Sequence, residues 1–233
     1  MTLKNTKALT NLHPEIKQFQ EKLWAQYSDE NRTAKPGQIV FVGSSLMEIF
    51  PIEKMQAEQN LGLSKHIYNR GVRATTTADL LAHMDDQIFD LAPSKIFINI
   101  GSNDIGFGVP EATFLANYSE ILSQIKAKLP TTEIYVMAYY PTNHTGKFSD
   151  GDEGDALLAK RGNDAMADAS DKVATLAKQQ AVHFINANAG LTDEAGNLKA
   201  DLTFDGAHML PAGYEIVFDN LKPYLKLESS ETD

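Results

Sequence analysis

Five short apolar runs rich in β-branched and aromatic residues punctuate this chain: Gln38–Val42, His66–Asn69, Lys95–Ile100, Glu133–Ala138 and Val182–Asn186. Stretches with helical spacing separate them, and this alternation constrains the fold more than any other feature. A run such as Ile39-Val40-Phe41-Val42 is apolar at every position, so both of its faces must be covered. Helices on both faces of a parallel sheet supply that cover, joined to the strands by right-handed crossovers. The expected fold class is therefore α/β, a three-layer α/β/α sandwich around a five-stranded parallel sheet of flavodoxin-like layout. Within Ala112–Leu129, Phe114, Leu115, Tyr118, Ile121, Leu122 and Ile125 recur at helical intervals, and Pro130 stops the helix. Further helices are expected over His13–Tyr27, within an N-terminal lead-in covering 1–36, from about Ala156 to Gln180, and over Pro211–Leu225. The acidic Ser149–Asp155 reads as a surface loop, and Glu228–Asp233 as a frayed polar tail. With 233 residues and no internal repeat or long linker, one domain is expected over 1–233.

Composition removes several function classes. The chain has no cysteine, so disulfides, thiolate metal sites and a cysteine nucleophile are excluded. Twenty-one Lys and Arg against 31 Asp and Glu leave a net charge of −10, with no basic run interleaved with aromatics, which argues against a nucleic-acid partner. Residues 1–20 lack an apolar signal core and no 18-residue apolar stretch follows, so a soluble, cytoplasmic protein without membrane insertion is expected. Phosphate-loop, Gly-x-Gly-x-x-Gly, His-Glu-x-x-His and Gly-x-Ser-x-Gly patterns are absent. No cofactor or resident metal is expected.

In an open parallel sheet, ligands bind beyond the carboxyl ends of the strands, where the strand order switches. Gly43-Ser44-Ser45-Leu46 follows the first apolar run, Asn69-Arg70-Gly71-Val72 ends the second, and Gly101-Ser102-Asn103-Asp104 follows the third. Near the far end, Asp205-Gly206-Ala207-His208 sets a carboxylate and an imidazole at i and i+3, the spacing that puts them on one face of a turn. A serine hydroxyl needs a base within hydrogen-bond reach, and the base needs an orienting partner. Ser45, His208 and Asp205 can take these three roles.

These four blocks resemble the SGNH (GDSL-type) hydrolases, and their spacing resembles the platelet-activating-factor acetylhydrolase-like esterases among them, from about Gly37 to Leu225. The resemblance implies Ser45 as nucleophile, His208 as base and Asp205 as orienter. It also implies an oxyanion hole of the Ser45 N–H, the Gly71 N–H and the Asn103 side-chain amide. One position departs from the family pattern: Ser44 stands where an aspartate is usual, and it leaves a neighbouring hydroxyl to exclude. The implied activity is a serine esterase acting on a small-molecule ester, with short-chain acyl or O-acetyl groups on a soluble substrate. A non-catalytic carbohydrate-binding or scaffold domain on the same fold is the alternative, and a homo-oligomer stays open.

Taken singly, each residue has a plainer explanation. Ser45 alone would be a helix N-cap, Gly71 a strand end, and Asn103-Asp104 a turn. His13, His66, His83, His144 and His183 read as surface or packed residues without a usefully spaced acid. Asp150, Asp152, Glu153 and Asp155 invite a calcium reading but lack the rest of such a loop. Arg70 and Arg73 read as solvated charges able to greet an anionic substrate group, Tyr139, Tyr140 and Pro141 as a wall of the substrate pocket, and Trp24 as helix packing.

Overall fold

The computed structural model describes residues 12–146 and 159–225. The acidic loop, the opening of the helix expected from Ala156, the start of the lead-in and the polar tail lie outside the described residues. Five strands form the sheet: β1 (Ile39–Gly43), β2 (Ile67–Gly71), β3 (Lys95–Asn99), β4 (Glu133–Met137) and β5 (His183–Ile185). All neighbours are parallel, in the order β2-β1-β3-β4-β5. Each strand falls within or beside an apolar run read from sequence, β5 being the shortest.

Side chains alternate across a strand with period two, and here that alternation splits the core. Ile39, Phe41, Phe97 and Tyr135 enter one apolar cluster, with Tyr214, Phe218 and Leu221 from a helix on that face and Phe50 from the loop after Glu48. Val40, Val42, Ile96, Ile98 and Val136 enter the other, with Leu80, Tyr118, Ile121, Leu122 and Val173. The helices, in chain order, are α1 (Pro14–Asn31), α2 (Ser45–Glu48), α3 (Ile52–Glu58), α4 (Thr77–Ala82), α5 (Met84–Gln87), α6 (Ser102–Gly106), α7 (Glu111–Lys128), α8 (Asn163–Gln179) and α9 (Pro211–Leu225). No helix among the described residues is long and apolar enough to cross a membrane.

Two helices differ from expectation. α1 starts at Pro14, whose missing N–H costs nothing at a first helical position, and it continues past Tyr27 to Asn31. It docks by hydrogen bonds that hydropathy does not register. The Trp24 indole donates to Gln87 Oε1 at 2.9 Å, the Tyr27 hydroxyl to the Gly71 carbonyl at 2.7 Å, and the Asn31 amide to the Asp86 carbonyl at 2.7 Å. The second difference lies within the helix expected from about Ala156 to Gln180: Ala159 is helical, the helix breaks at Lys160–Gly162, and α8 starts at Asn163. Gly162 takes an extended conformation as its N-cap, and Asn163 Oδ1 accepts the Thr142 N–H at 2.7 Å. That interruption sends Arg161 inward.

The ends of β1 and β3 approach closely. A Cβ on Gly43 would overlap the Asn99 carbonyl oxygen, so only glycine permits this strand end.

Candidate active site

The sheet order switches at β1, which has β2 on one side and β3 on the other. Ser45 is the first residue of α2, directly after β1, and its Oγ lies 2.9 Å from His208 Nε2. His208 Nδ1 lies 2.5 Å from Asp205 Oδ2, while Asp205 Oδ1 accepts the backbone N–H groups of Ala207 at 2.9 Å and His208 at 2.7 Å. Burial alone would raise the Asp205 pKa, but the hydrogen bonds from the His208 ring and from these N–H groups outweigh it and hold the carboxyl at about 2. An ionised carboxylate only accepts, so Nδ1 carries the proton and Nε2 is left to accept from the Ser45 hydroxyl. The Asp205–His208 segment is a loop and not a helical turn. It is closed by a bridge between Thr203 and Met209, turned by Gly206 at φ 86°, and pinned by Thr203 Oγ1, which donates to the His208 carbonyl at 2.7 Å. Phe204 stacks on the His208 ring at 5.7 Å between centroids. The Ser44 hydroxyl is buried and makes no hydrogen bond among the described residues.

Asn103 enters from α6, after β3. Its Nδ2 donates one hydrogen to the Thr75 carbonyl at 2.9 Å, leaving the second without an acceptor among the described residues. Asp104 beside it is fully buried. Its carboxylate accepts the Thr77 hydroxyl at 2.6 Å and the Thr77 N–H at 3.0 Å. Burial outweighs these bonds and pushes its pKa up to about 7.

Gly71 does not reach the site. Its N–H donates to Asn69 Oδ1 at 2.9 Å, and a Cβ there would overlap the backbone of Glu48. Its lack of a side chain serves the packing of α2 on β2. The residue of this segment that lines the cavity is Ala74, at φ 57°, with no acceptor for its N–H among the described residues. Both flanks of Ala74 are fixed: the Arg73 carbonyl accepts from Gln20 Nε2 at 2.8 Å, and Thr75 Oγ1 donates to the Val72 carbonyl at 2.6 Å. No sequence signal marked Ala74, because alanine rarely adopts the left-handed region and does so here only because its neighbours are held.

Ser45, Ala74, Asn103, Asp205 and His208 share one cavity of about 340 Å³, whose apolar wall is Ile16, Ile49, Phe107 and Phe204. Tyr139, Tyr140 and Pro141 do not form that wall. Tyr139 is buried, donating to the Ile100 carbonyl at 2.7 Å, Tyr140 is buried too, and Pro141 borders a separate cavity beside Asn163. Arg70 is not solvated: it is 1% exposed, bonded to Asn31 Oδ1 and stacked over Tyr27. Arg73 lines the cavity but is paired with Glu48. His83 does pair with an acid, Asp86, at 3.3 Å, and its ring stacks on Trp24. Arg161 is the side chain the sequence reading missed. Placed inside an expected helix, it instead lines the cavity that holds Ser45 and His208.

The all-parallel five-stranded sheet covered by helices on both faces is the α/β fold of the SGNH hydrolases. The chain belongs to the GDSL-like lipase/acylhydrolase family, whose model matches residues 53–216, a span that holds Ala74, Asn103, Asp205 and His208 and starts after Ser45. It is an enzyme of that ester-hydrolysing class. A solved structure from Streptococcus pneumonia, described under platelet activating factor, is 30% identical over 97% of this chain and 100% of its own, with a TM-score of 0.81. A GDSL-like lipase from Bacteroides thetaiotaomicron is 20% identical over 87% of this chain and 96% of its own, with a TM-score of 0.66. An acetylxylan esterase from Geobacillus stearothermophilus is 16% identical over 86% of this chain and 99% of its own, with a TM-score of 0.61. No curated protein matches the sequence.

Proposed function

We propose that this protein is a serine esterase that removes short acyl or O-acetyl groups from a small soluble ester in the cytoplasm. The observation that carries the reading is the continuous relay from Ser45 Oγ to His208 Nε2 at 2.9 Å and from His208 Nδ1 to Asp205 at 2.5 Å. Ser45 Oγ attacks the ester carbonyl while its proton passes to Nε2. His208 then gives that proton to the departing alkoxide, and the acyl-enzyme forms. Water attacks the acyl-enzyme with His208 again as base, releasing the acid and regenerating Ser45. Through both tetrahedral stages the negative oxygen is held by the Ser45 N–H, the Ala74 N–H and the second hydrogen of Asn103 Nδ2, the one not given to the Thr75 carbonyl; these three donors have no other acceptor among the described residues. Fixed donors of this kind each contribute about 10²–10³ in rate. Ala74 replaces Gly71 in this hole.

Two further facts support the reading. The cavity is of a size for a short acyl group beside its alcohol, with Ile49 and Phe107 as apolar lining. The acetylxylan esterase neighbour is known from catalytic mutants in which a serine, an aspartate or a histidine is replaced by alanine.

Hydrolysis of p-nitrophenyl acetate, butyrate and octanoate by wild type and Ser45→Ala, with EDTA present, tests it. Turnover that survives EDTA, disappears with Ser45→Ala and declines from acetate to octanoate is expected. Turnover that persists in Ser45→Ala would remove the serine mechanism, and a steady rise toward octanoate would remove the short-acyl preference.

A further inference from the structure

The cavity that holds Ser45 contains a positive charge with no counter-charge in contact among the described residues. Arg161 is 3% exposed, and its side chain lines the cavity that holds Ser45 and His208. Among the described residues its buried Nε has no hydrogen-bond acceptor, and the hydrogen bond its guanidinium makes is a long one, Nη1 to Asn103 Oδ1 at 3.4 Å. No carboxylate among the described residues lies within ion-pair distance of it, whereas Arg73 on the cavity rim is neutralised by Glu48 and the buried Arg70 lies near Glu30. Asp205 is the acid whose field reaches Arg161, but its oxygens are engaged by His208 and Ala207.

Taking a guanidinium out of water is costly unless something repays it with charge-assisted hydrogen bonds. Local structure does hold the residue in place: the Arg161 carbonyl accepts the Thr142 hydroxyl at 2.9 Å, and Gly162 ends the segment by capping α8. It does not satisfy the side chain. Orienting Asn103 is not a sufficient explanation either, since the Asn103 amide is already fixed by the shorter bond to the Thr75 carbonyl at 2.9 Å. Burial lowers the Arg161 pKa, yet a guanidinium remains charged at neutral pH. Its planar fork of donors matches carboxylate and phosphate oxygens.

We propose that Arg161 is an anion anchor, and that the ester this enzyme takes carries a carboxylate or phosphate near its scissile carbonyl. The inference rests on the esterase reading of Ser45 and specifies its substrate class. Such a group would arrive beside Asn103, placing the reacting carbonyl at the oxyanion donors and repaying the desolvation of the guanidinium. A neutral ester of the same size forgoes that contact.

The test compares matched esters in wild type, Arg161→Lys and Arg161→Gln, each first checked for folding by circular dichroism. One pair places the charge on the acyl side, p-nitrophenyl butyrate against p-nitrophenyl hemisuccinate. The other places it on the alcohol side, phenyl acetate against 3-acetoxybenzoate. Phenyl acetate against its 3-phosphono-substituted analogue separates phosphate-like from carboxylate recognition. The readout is the anionic-to-neutral ratio of kcat/KM. In at least one pair this ratio falls about tenfold to a hundredfold in Arg161→Gln and is partly kept in Arg161→Lys, the size expected for a charge-assisted contact. A ratio unmoved in every pair, with both ester types slowed alike, overturns the anchor and makes Arg161 a positioning residue for Asn103. Absence of wild-type turnover on every ester, neutral ones included, is the separate failure of the esterase reading. In that case calorimetry of succinate and inorganic phosphate on wild type against Arg161→Gln decides the anchor alone: binding lost with the arginine upholds it, and no binding to wild type overturns it.

Discussion

Asp104 makes the folding stability of this protein fall as pH rises from the acidic range to neutrality, and Asp104→Asn isolates the effect. The carboxyl is buried beneath Thr77, with its pKa pushed up to about 7, whereas in an unfolded chain an aspartate titrates near about 3.9. Between these values the native state holds a proton that the unfolded state has released. The native advantage is therefore complete below the unfolded pKa and is lost as pH climbs to the folded one. Three pH units at about 1.36 kcal/mol each make the total on the order of 4 kcal/mol. Asp205 has the opposite sign. Held at about 2, it contributes stability above the unfolded value that is lost as pH falls toward 2, a window that does not overlap. Asparagine at 104 keeps one acceptor for Thr77 and cannot ionise, so whatever fixed offset it brings does not depend on pH. Urea denaturation of both proteins at pH 4, 5.5, 7 and 8 reads the difference directly. Relative to wild type, Asp104→Asn should gain on the order of 4 kcal/mol of stability between pH 4 and pH 8. A difference constant across that range would refute the buried, raised carboxyl.

Further outcomes are expected at the site. Asn103→Ala should lower kcat by about 10²–10³ with little change in KM, because the donor acts on the transition state; steady-state kinetics on p-nitrophenyl acetate checks this, and a rise in KM alone would contradict it. Gly71→Ala should cost about 1–3 kcal/mol of stability through overlap with the Glu48 backbone. Ala74→Gly, which relieves a left-handed alanine and keeps the N–H, should be neutral or stabilising by about 1 kcal/mol with activity retained; thermal melts with specific activities separate the two. Asp205→Ala should impair kcat less than His208→Ala, since Ser45 and the ring keep part of their geometry, and equal, wild-type rates in both would remove the relay.

Much of this was legible because it is written in local pattern. Runs such as Ile39–Val42 and Lys95–Ile100 could be nothing but strands covered on two faces, and the i, i+3 spacing of Asp205 and His208 announced a coupled pair. Four blocks lying in order at the ends of those runs carry the resemblance to the SGNH hydrolases, and through it Ser45 and Asn103 stood as the candidate nucleophile and amide donor. The pairing of His83 with Asp86 shows the limit of such patterns: the same spacing recurs there, where the ring stacks on Trp24 and lies outside the cavity that holds Ser45.

The sequence by itself determined the sandwich, the positions of Ser45, Asn103, Asp205 and His208 along it, and the acidic, cysteine-free composition. Tertiary structure alone decided which residue of the Asn69–Thr76 segment lines the cavity with its backbone N–H left without an acceptor among the described residues, because that depends on who else accepts from each. Asn69 takes the Gly71 N–H, while Gln20 and Glu48 hold Arg73 so that Ala74 is turned inward. It alone decided that Arg161 lines the cavity that holds Ser45, since a helix interrupted at Gly162 and anchored to Thr142 leaves no periodic trace. Periodicity records which face of an element is buried; the direction of a single hydrogen bond, or the absence of a partner for one charge, is settled by residues distant in the chain.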